Sequence, residues 1–163
     1  MSNKSFREKI EEIKKKKLRE NKIIKLDDLS SFEERKIKEN IIIVDDNEDF
    51  LKSLERILAK EGYNCLLAKD AFELADYLEN YIIKLIILDL NLPLVGGLQI
   101  CEILSKDEKL STLPLLLVSA KQRPEEQRQA ESLGYPYFLK KPIKTKELKE
   151  LMLKLAKSTK KPP

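Results

Sequence analysis

Polar side chains that could bind a metal ion or a phosphate group follow four apolar runs of this sequence. One of these runs, Leu85 to Leu88, leads directly into Asp89 and then into a turn that carries Pro93 and Gly96-Gly97. The other three runs are followed by Asp45-Asp46, Ser119 and Lys141. A short apolar run bounded by turn residues is typical of a buried β-strand. A single aspartate after a strand is more often a turn former or a helix cap, so only the whole set indicates function.

The set combines three carboxylates, one hydroxyl and one ammonium group. In a parallel sheet the carboxyl ends of the strands lie at one edge, where ligand sites of open α/β sheets form. Carboxylates placed so close together repel one another and raise each other's pKa unless a cation lies among them. Their oxygens suit Mg²⁺, which binds one or two carboxylates and otherwise water or phosphate oxygens. Lys141 can pair with a carboxylate or with an incoming phosphoryl group.

Strand and helix patterns alternate from residue 40 to residue 157, as such a site requires. The predicted strands are Ile41 to Val44, Tyr63 to Ala68, the run that ends at Asp89, Leu115 to Val118 and Tyr137 to Leu139. Five helical patterns follow them; the first places Phe50, Leu51, Leu54, Ile57 and Leu58 at helical spacing. A capping signal at Asp70 to Glu73 begins the second helix. This alternation predicts an α/β fold with a parallel sheet covered on both faces.

Composition narrows the function. The chain has 163 residues, 42% of them hydrophobic, which supports one folded domain rather than disorder. Histidine is absent, so any mechanism that needs an imidazole base or ligand in this chain is excluded. Cys65 and Cys101 lie in apolar patterns, which predicts reduced core thiols. With no membrane-length apolar run and no signal-peptide pattern, we expect a cytoplasmic protein without membrane insertion.

The positive charge is concentrated in the first 39 residues. They hold 13 Lys and Arg against 9 Asp and Glu, whereas residues 40–163 hold 19 of each. A nucleic-acid function of the globular part therefore has no electrostatic support. We interpret residues 1–39 as a basic, partly helical extension, and residues 158–163 as a disordered tail.

The extension contains few apolar residues. Phe6, Ile10 and Ile13 form a narrow helical stripe, and a second short helix is predicted from Ser31. We expect order mainly between Ile23 and Phe32, and an acidic protein surface as the target of the surplus charge. Deleting residues 1–39 should then leave the core folded.

The motifs taken together resemble a receiver domain of two-component signalling. The residues that carry the resemblance are Asp45-Asp46, Leu88-Asp89, Pro93, Gly97, Val118-Ser119-Ala120 and Lys141-Pro142, in this order and at these separations. The resemblance covers about residues 40–157 and is closest to single-domain receivers of the chemotaxis type. It implies a flavodoxin-like, doubly wound sheet of order 2-1-3-4-5 with five helices, to which the helical extension is added.

The resemblance also implies a role for each motif residue. Asp89 would accept a phosphoryl group from a sensor histidine kinase or a phosphotransfer protein. Asp46, Asp89 and the main-chain carbonyl of Asn91 would bind Mg²⁺, and Asp45 would act through water. Ser119 and Lys141 would bind the phosphoryl group, and Phe138 would be the switch aromatic.

The switch would change the surface formed by the helix from Pro124, the fifth strand and the last helix. The sequence departs from the family where Ser119 replaces the commoner threonine and Phe138 the commoner tyrosine. The resemblance also implies a cis bond between Lys141 and Pro142. We expect a stand-alone receiver without an output domain, which assists its own phosphorylation and dephosphorylation but is not an enzyme.

Three alternatives remain open. The first is a pseudo-receiver, a constitutive protein-interaction module whose acidic pocket is idle. The second is a Mg²⁺-dependent phosphatase of the haloacid-dehalogenase type, in which a second aspartate would stand where Asn91 is found. The third is a nucleic-acid binder that acts through the basic extension, although the nine acidic residues of the extension weaken it.

Overall fold

The computed structural model describes residues 4–18 and 40–157 and contains a five-stranded parallel sheet. Its strands are β1 Asn40–Val44, β2 Asn64–Ala68, β3 Ile83–Asp89, β4 Leu115–Ser119 and β5 Phe138–Lys140. They lie in the order β2-β1-β3-β4-β5, and all four neighbouring pairs are parallel. The predicted fold class and strand order are therefore confirmed.

Six helices accompany the strands in the described residues: α1 Phe6–Leu18, α2 Glu48–Lys60, α3 Ala71–Asn80, α4 Gly97–Lys106, α5 Pro124–Ser132 and α6 Thr145–Lys157. Side-chain caps determine where two of them begin. The Asn47 side chain accepts a hydrogen bond from the Phe50 N–H at 3.1 Å, and Asp70 accepts from Phe72 and Glu73. These caps satisfy N–H groups that have no partner inside the helix, which confirms the signal predicted at Asp70.

Two apolar cores lie on opposite faces of the sheet. Along β1, Ile42 and Val44 belong to the core that includes side chains of α1, α3, α4 and α5, which we call the α3–α4 core. Ile41 and Ile43 belong to the core with α2 and α6, which we call the α2–α6 core. Successive side chains of a strand point to opposite faces. Because both faces are covered, every residue of β1 is buried, and every one except Asn40 is apolar.

The first helix packs against α3 and α4. Phe6 and Ile10 are 4% and 1% exposed within the α3–α4 core. Arg7 forms ion pairs with Glu79 at 2.5 Å and with Asp76 at 3.5 Å on α3. A narrow apolar stripe is enough to dock α1 because α3 and α4 together form the surface on which it packs.

This packing of α1 differs from the order expected in the extension. The segment from Ile23 to Phe32, the helix predicted from Ser31 and the tail 158–163 all lie outside the described residues. The part of the extension that the structure does describe is docked through Phe6 and Ile10.

The two cysteines are free. Burial raises the pKa of both the Cys65 and the Cys101 thiol to about 12, which keeps them protonated and unreactive. Among the described residues, no helix combines the length and the apolar character needed to cross a bilayer.

Candidate functional site

The carboxyl ends of β1 and β3 bring three aspartates together. Carboxylate oxygens of Asp45, Asp46 and Asp89 lie within 4.8 Å of one another. Asp45 is fully buried and Asp89 is 5% exposed, whereas Asp46 is open to solvent. Because β1 and β3 are adjacent and parallel, the loops that follow them share one edge of the sheet, as the sequence predicted.

Lys141 reaches this cluster from the end of β5. Its main-chain N–H donates to the Ser119 carbonyl at 2.9 Å, and its bond to Pro142 is cis, as expected from the sequence. The Lys141 ammonium donates to one carboxylate oxygen of Asp45 and to Asp89 Oδ2, the latter at 3.1 Å. The ammonium therefore bridges the two buried carboxylates.

The loop after β3 fixes the orientation of Asp89. Its Oδ1 accepts a hydrogen bond from the Asn91 N–H at 3.0 Å, while Oδ2 faces Lys141. Gly97, the first residue of α4, lies so close that an added Cβ would be 2.5 Å from Leu90 Cα and 2.6 Å from the Asp89 carbonyl oxygen. Only glycine permits this approach. The glycine at position 97, which the sequence suggested as part of a turn, is therefore required by close backbone packing.

Burial and neighbouring charges shift the pKa values of Asp89 and Lys141. Burial raises the pKa of Asp89; the Asp45 charge adds to the increase, while the Asn91 N–H and Lys141 oppose it. Burial lowers the pKa of Lys141, but its contacts with Asp45 and Asp89 outweigh burial and raise it overall. The ammonium is thus charged at neutral pH, and burial disfavours the charged form of Asp89.

Ser119 and Phe138 lie on the neighbouring strands β4 and β5. The Ser119 hydroxyl donates to the Lys121 carbonyl at 2.6 Å and accepts from the Lys121 N–H at 3.2 Å. It is therefore directed to its own loop rather than to Asp89, and the Asn91 amide approaches it at 3.4 Å. Phe138 lies opposite Leu117, is half-buried and packs against the α3–α4 core.

One side chain at the site was not identified from the sequence. The Lys141 ammonium lies 4.2 Å from the centroid of the Phe50 ring in the first turn of α2. Helical spacing had placed Phe50 with the core residues of its helix, and spacing alone carries no signal for a contact with a cation.

The donor set fits a hard divalent cation. Three carboxylates meet one ammonium group, so the ionised cluster carries two more negative charges than positive ones. Oxygen ligands of this kind, partly open to water at Asp46, suit Mg²⁺. In the same arrangement, Asn91 and Lys141 orient the two carboxylate oxygens of Asp89.

Comparison with known proteins agrees with this geometry. The sequence profile of the response regulator receiver domain matches residues 41–153. The chain belongs to this receiver family. Receivers typically bind Mg²⁺ at an acidic pocket, interact with histidine kinases or phosphotransfer proteins, and are signalling proteins rather than classical enzymes.

The receiver is similar to several curated proteins. It is 30% identical over 118 residues to the protein RcaC of Microchaete diplosiphon, covering 72% of this chain and 18% of RcaC. It is 28% identical over 104 residues to the polar-differentiation response regulator DivK of Brucella ovis, covering 64% of this chain and 85% of DivK. The chain spans about half the length of other relatives, for example 51% of the response regulator Rre1 of Synechocystis.

Solved structures show the same fold. A CheY-like receiver of Methanospirillum hungatei is 29% identical with a TM-score of 0.64, covering 73% of this chain and 94% of that one. Chemotaxis protein CheY4 of Vibrio cholerae is 21% identical with a TM-score of 0.65, covering 72% of this chain and 98% of that one.

Proposed function

We propose that the receiver accepts a phosphoryl group on Asp89 from a phosphohistidine of a sensor histidine kinase or a phosphotransfer protein. The observation that carries this proposal is the position of Asp89. It is a buried carboxylate at the end of a central strand, oriented by Asn91 and bridged by Lys141 to Asp45.

Each neighbour of Asp89 has a part in the transfer. An oxygen of Asp89 attacks the phosphorus, the bond from phosphorus to the donor imidazole nitrogen breaks, and the imidazole leaves with a proton from solvent. The Asn91 N–H holds Oδ1 in place throughout. Lys141, which already contacts both buried carboxylates, pairs with the phosphoryl oxygens as a point charge.

Asp46, Asp89 and the main-chain carbonyl of Asn91 would bind Mg²⁺, with Asp45 acting through water. When bound, the ion offsets the charge of the carboxylates and of the phosphoryl group, a role that hard cations have at phosphoryl-transfer sites. The fit rests on the carboxylate oxygens within 4.8 Å and on the exposure of Asp46, which leaves room for water ligands.

The modification would be relayed through Ser119 and Phe138. A phosphoryl group offers the Ser119 hydroxyl a charged acceptor, which competes with the neutral Lys121 carbonyl that it now binds. Rotation of Ser119 would draw the loop after β4 inward and let Phe138 turn into the space. The surface of α5, β5 and α6 would then repack for a downstream protein partner.

Mass spectrometry after incubation with acetyl phosphate tests the proposal. With Mg²⁺ the wild-type protein should gain the mass of one phosphoryl group, and without a divalent ion it should not, because the carboxylates repel an anion. Asp89→Asn should abolish the gain. Modification of this variant at the wild-type rate would contradict the assignment of Asp89. A wild-type protein that is never modified would instead indicate a pseudo-receiver.

A further inference from the structure

An aromatic ring forms one wall around the Lys141 ammonium. The ammonium contacts Asp45 and Asp89, and its third neighbour is the Phe50 ring, with 4.2 Å between Nζ and the ring centroid. This distance is well within the roughly 6 Å at which a cation is attracted to the face of an aromatic ring. The Lys141 side chain is only 20% exposed, so water weakens the attraction little.

The ring is held in place by the same loop that carries Asp45. The Asn47 N–H donates to Asp45 Oδ1 at 2.8 Å, and the Asn47 side chain accepts from the Phe50 N–H at 3.1 Å. Asn47 thus connects the buried carboxylate to the first turn of α2. The ring itself is half-buried and packs against the α2–α6 core, which limits its movement.

We propose that Phe50 is a positioning residue that holds the Lys141 ammonium over Asp89 through a cation–π contact. The inference rests on the proposed function and concerns the same site. Mg²⁺ would bind Asp89 directly and Asp45 through water, and these two carboxylates are the present anionic partners of Lys141. The ring does not bind a hard cation in competition with oxygen, so its attraction for the ammonium stays when those carboxylates are engaged.

This role differs from ordinary packing in what it requires of residue 50. Packing requires an apolar side chain of suitable volume, which leucine supplies. The cation–π contact requires an electron-rich ring face. Replacements that keep volume and change the ring electrons therefore separate the two roles, and ring fluorination of phenylalanine is such a change.

The first experiment uses metal-free protein and NMR of the Lys141 side chain. Protons on the carbon next to Nζ should resonate upfield of an ordinary lysine because they lie over the Phe50 ring. The upfield shift should disappear in Phe50→Leu and persist in Phe50→Tyr. A Lys141 signal at the ordinary position in the wild-type protein would overturn the contact itself, without reference to phosphorylation.

The second experiment measures the rate of phosphoryl uptake from acetyl phosphate with Mg²⁺. Phe50→Leu should lower the rate about twofold to thirtyfold, the range that corresponds to a cation–π contact. Phe50→Tyr should stay within about twofold of the wild type, since tyrosine keeps the ring face. Phenylalanines with one, two and three ring fluorines at position 50 should lower the logarithm of the rate in even steps.

Ile57→Leu is the matched control. Ile57 lies on the same helix, is partly buried and packs against the same α2–α6 core, so its replacement should leave the rate unchanged. A wild-type protein that takes up no phosphoryl group would contradict the proposed function. An active wild type whose rate is unaffected by Phe50→Leu and by fluorination would overturn the role of Phe50 alone.

Discussion

Replacing Ile10 with alanine is expected to detach α1 from the receiver and leave the sheet folded. Ile10 and Phe6 are the α1 side chains, among those described, that are buried in the α3–α4 core. The ion pairs of Arg7 with Glu79 and Asp76 join side chains that are 41% to 60% exposed. Exposed ion pairs of this kind contribute little, so the apolar contacts must hold the helix in place.

The free energy that docks α1 on the receiver can be estimated from its two buried side chains. Burying Phe6 and Ile10 contributes about 1.5–3 kcal/mol each, from which the ordering of the helix is subtracted. A helix of 13 residues is marginal by itself in water. Truncating a buried isoleucine to alanine costs about 2–5 kcal/mol. The cost of Ile10→Ala is thus as large as the whole free energy that docks α1. Because α1 can detach, the free energy of unfolding of the sheet should fall by no more than the docking free energy.

Hydrogen exchange measured by mass spectrometry distinguishes detachment from unfolding. In Ile10→Ala the amides of α1 should lose their protection, while those of β1 and β3 keep it. Lys15→Ala is the control, because Lys15 is exposed on the same helix and alanine is a good helix former. Loss of protection in β3 together with α1 would show that α1 belongs to the folding unit. Our proposed domain boundary at residue 39 would then be wrong.

Two further predictions concern the site. In metal-free buffer at neutral pH, Asp89→Asn should have a higher free energy of unfolding than the wild type, because burial raises the pKa of Asp89. A carboxyl whose pKa is raised in the folded state stabilises the fold at low pH, and this stability is lost as the pH rises through the raised pKa. The difference in free energy of unfolding between Asp89→Asn and the wild type, measured by urea denaturation, should therefore shrink as the pH is lowered towards 3.8. A difference that does not change with pH would contradict this prediction. Ser119→Ala should still be phosphorylated, but phosphorylation should no longer change the NMR shifts of residues around Phe138. Changes equal to those of the wild type would mean that the signal reaches Phe138 without Ser119.

The sheet could be predicted because its signals are local. Each strand of the sequence is a short apolar run, and each run is followed by a turn or a cap such as Asp70. Periodicity and alternation are properties of neighbouring residues, so they can be identified without tertiary information. The strand order is different: it came from the family resemblance, because nothing in a single strand says which neighbour it pairs with.

The contacts that sequence could not predict are long-range. Phe6 and Ile10 become buried only because α3 and α4, more than 50 residues later in the chain, form the surface that receives them. Likewise, Phe50 and Lys141 are adjacent only after α2 and the end of β5 meet at one edge of the sheet. In contrast, Asp89 and Lys141 could be paired in advance, because the carboxyl ends of parallel strands must share an edge.

The charges at the site indicate how the proposed phosphorylation would act as a switch. Before any ligand binds, three carboxylates and the Lys141 ammonium leave two negative charges at the edge of the sheet, which one Mg²⁺ would balance. Phosphorylation would replace the single charge of Asp89 by about two, so one negative charge again lacks a partner. Lys141 already contacts two carboxylates, and the nearby Ser119 hydroxyl donates to a neutral carbonyl of its own loop. On the proposed function, that hydroxyl would turn to the new charge, and the change in charge would be passed to β4 and β5.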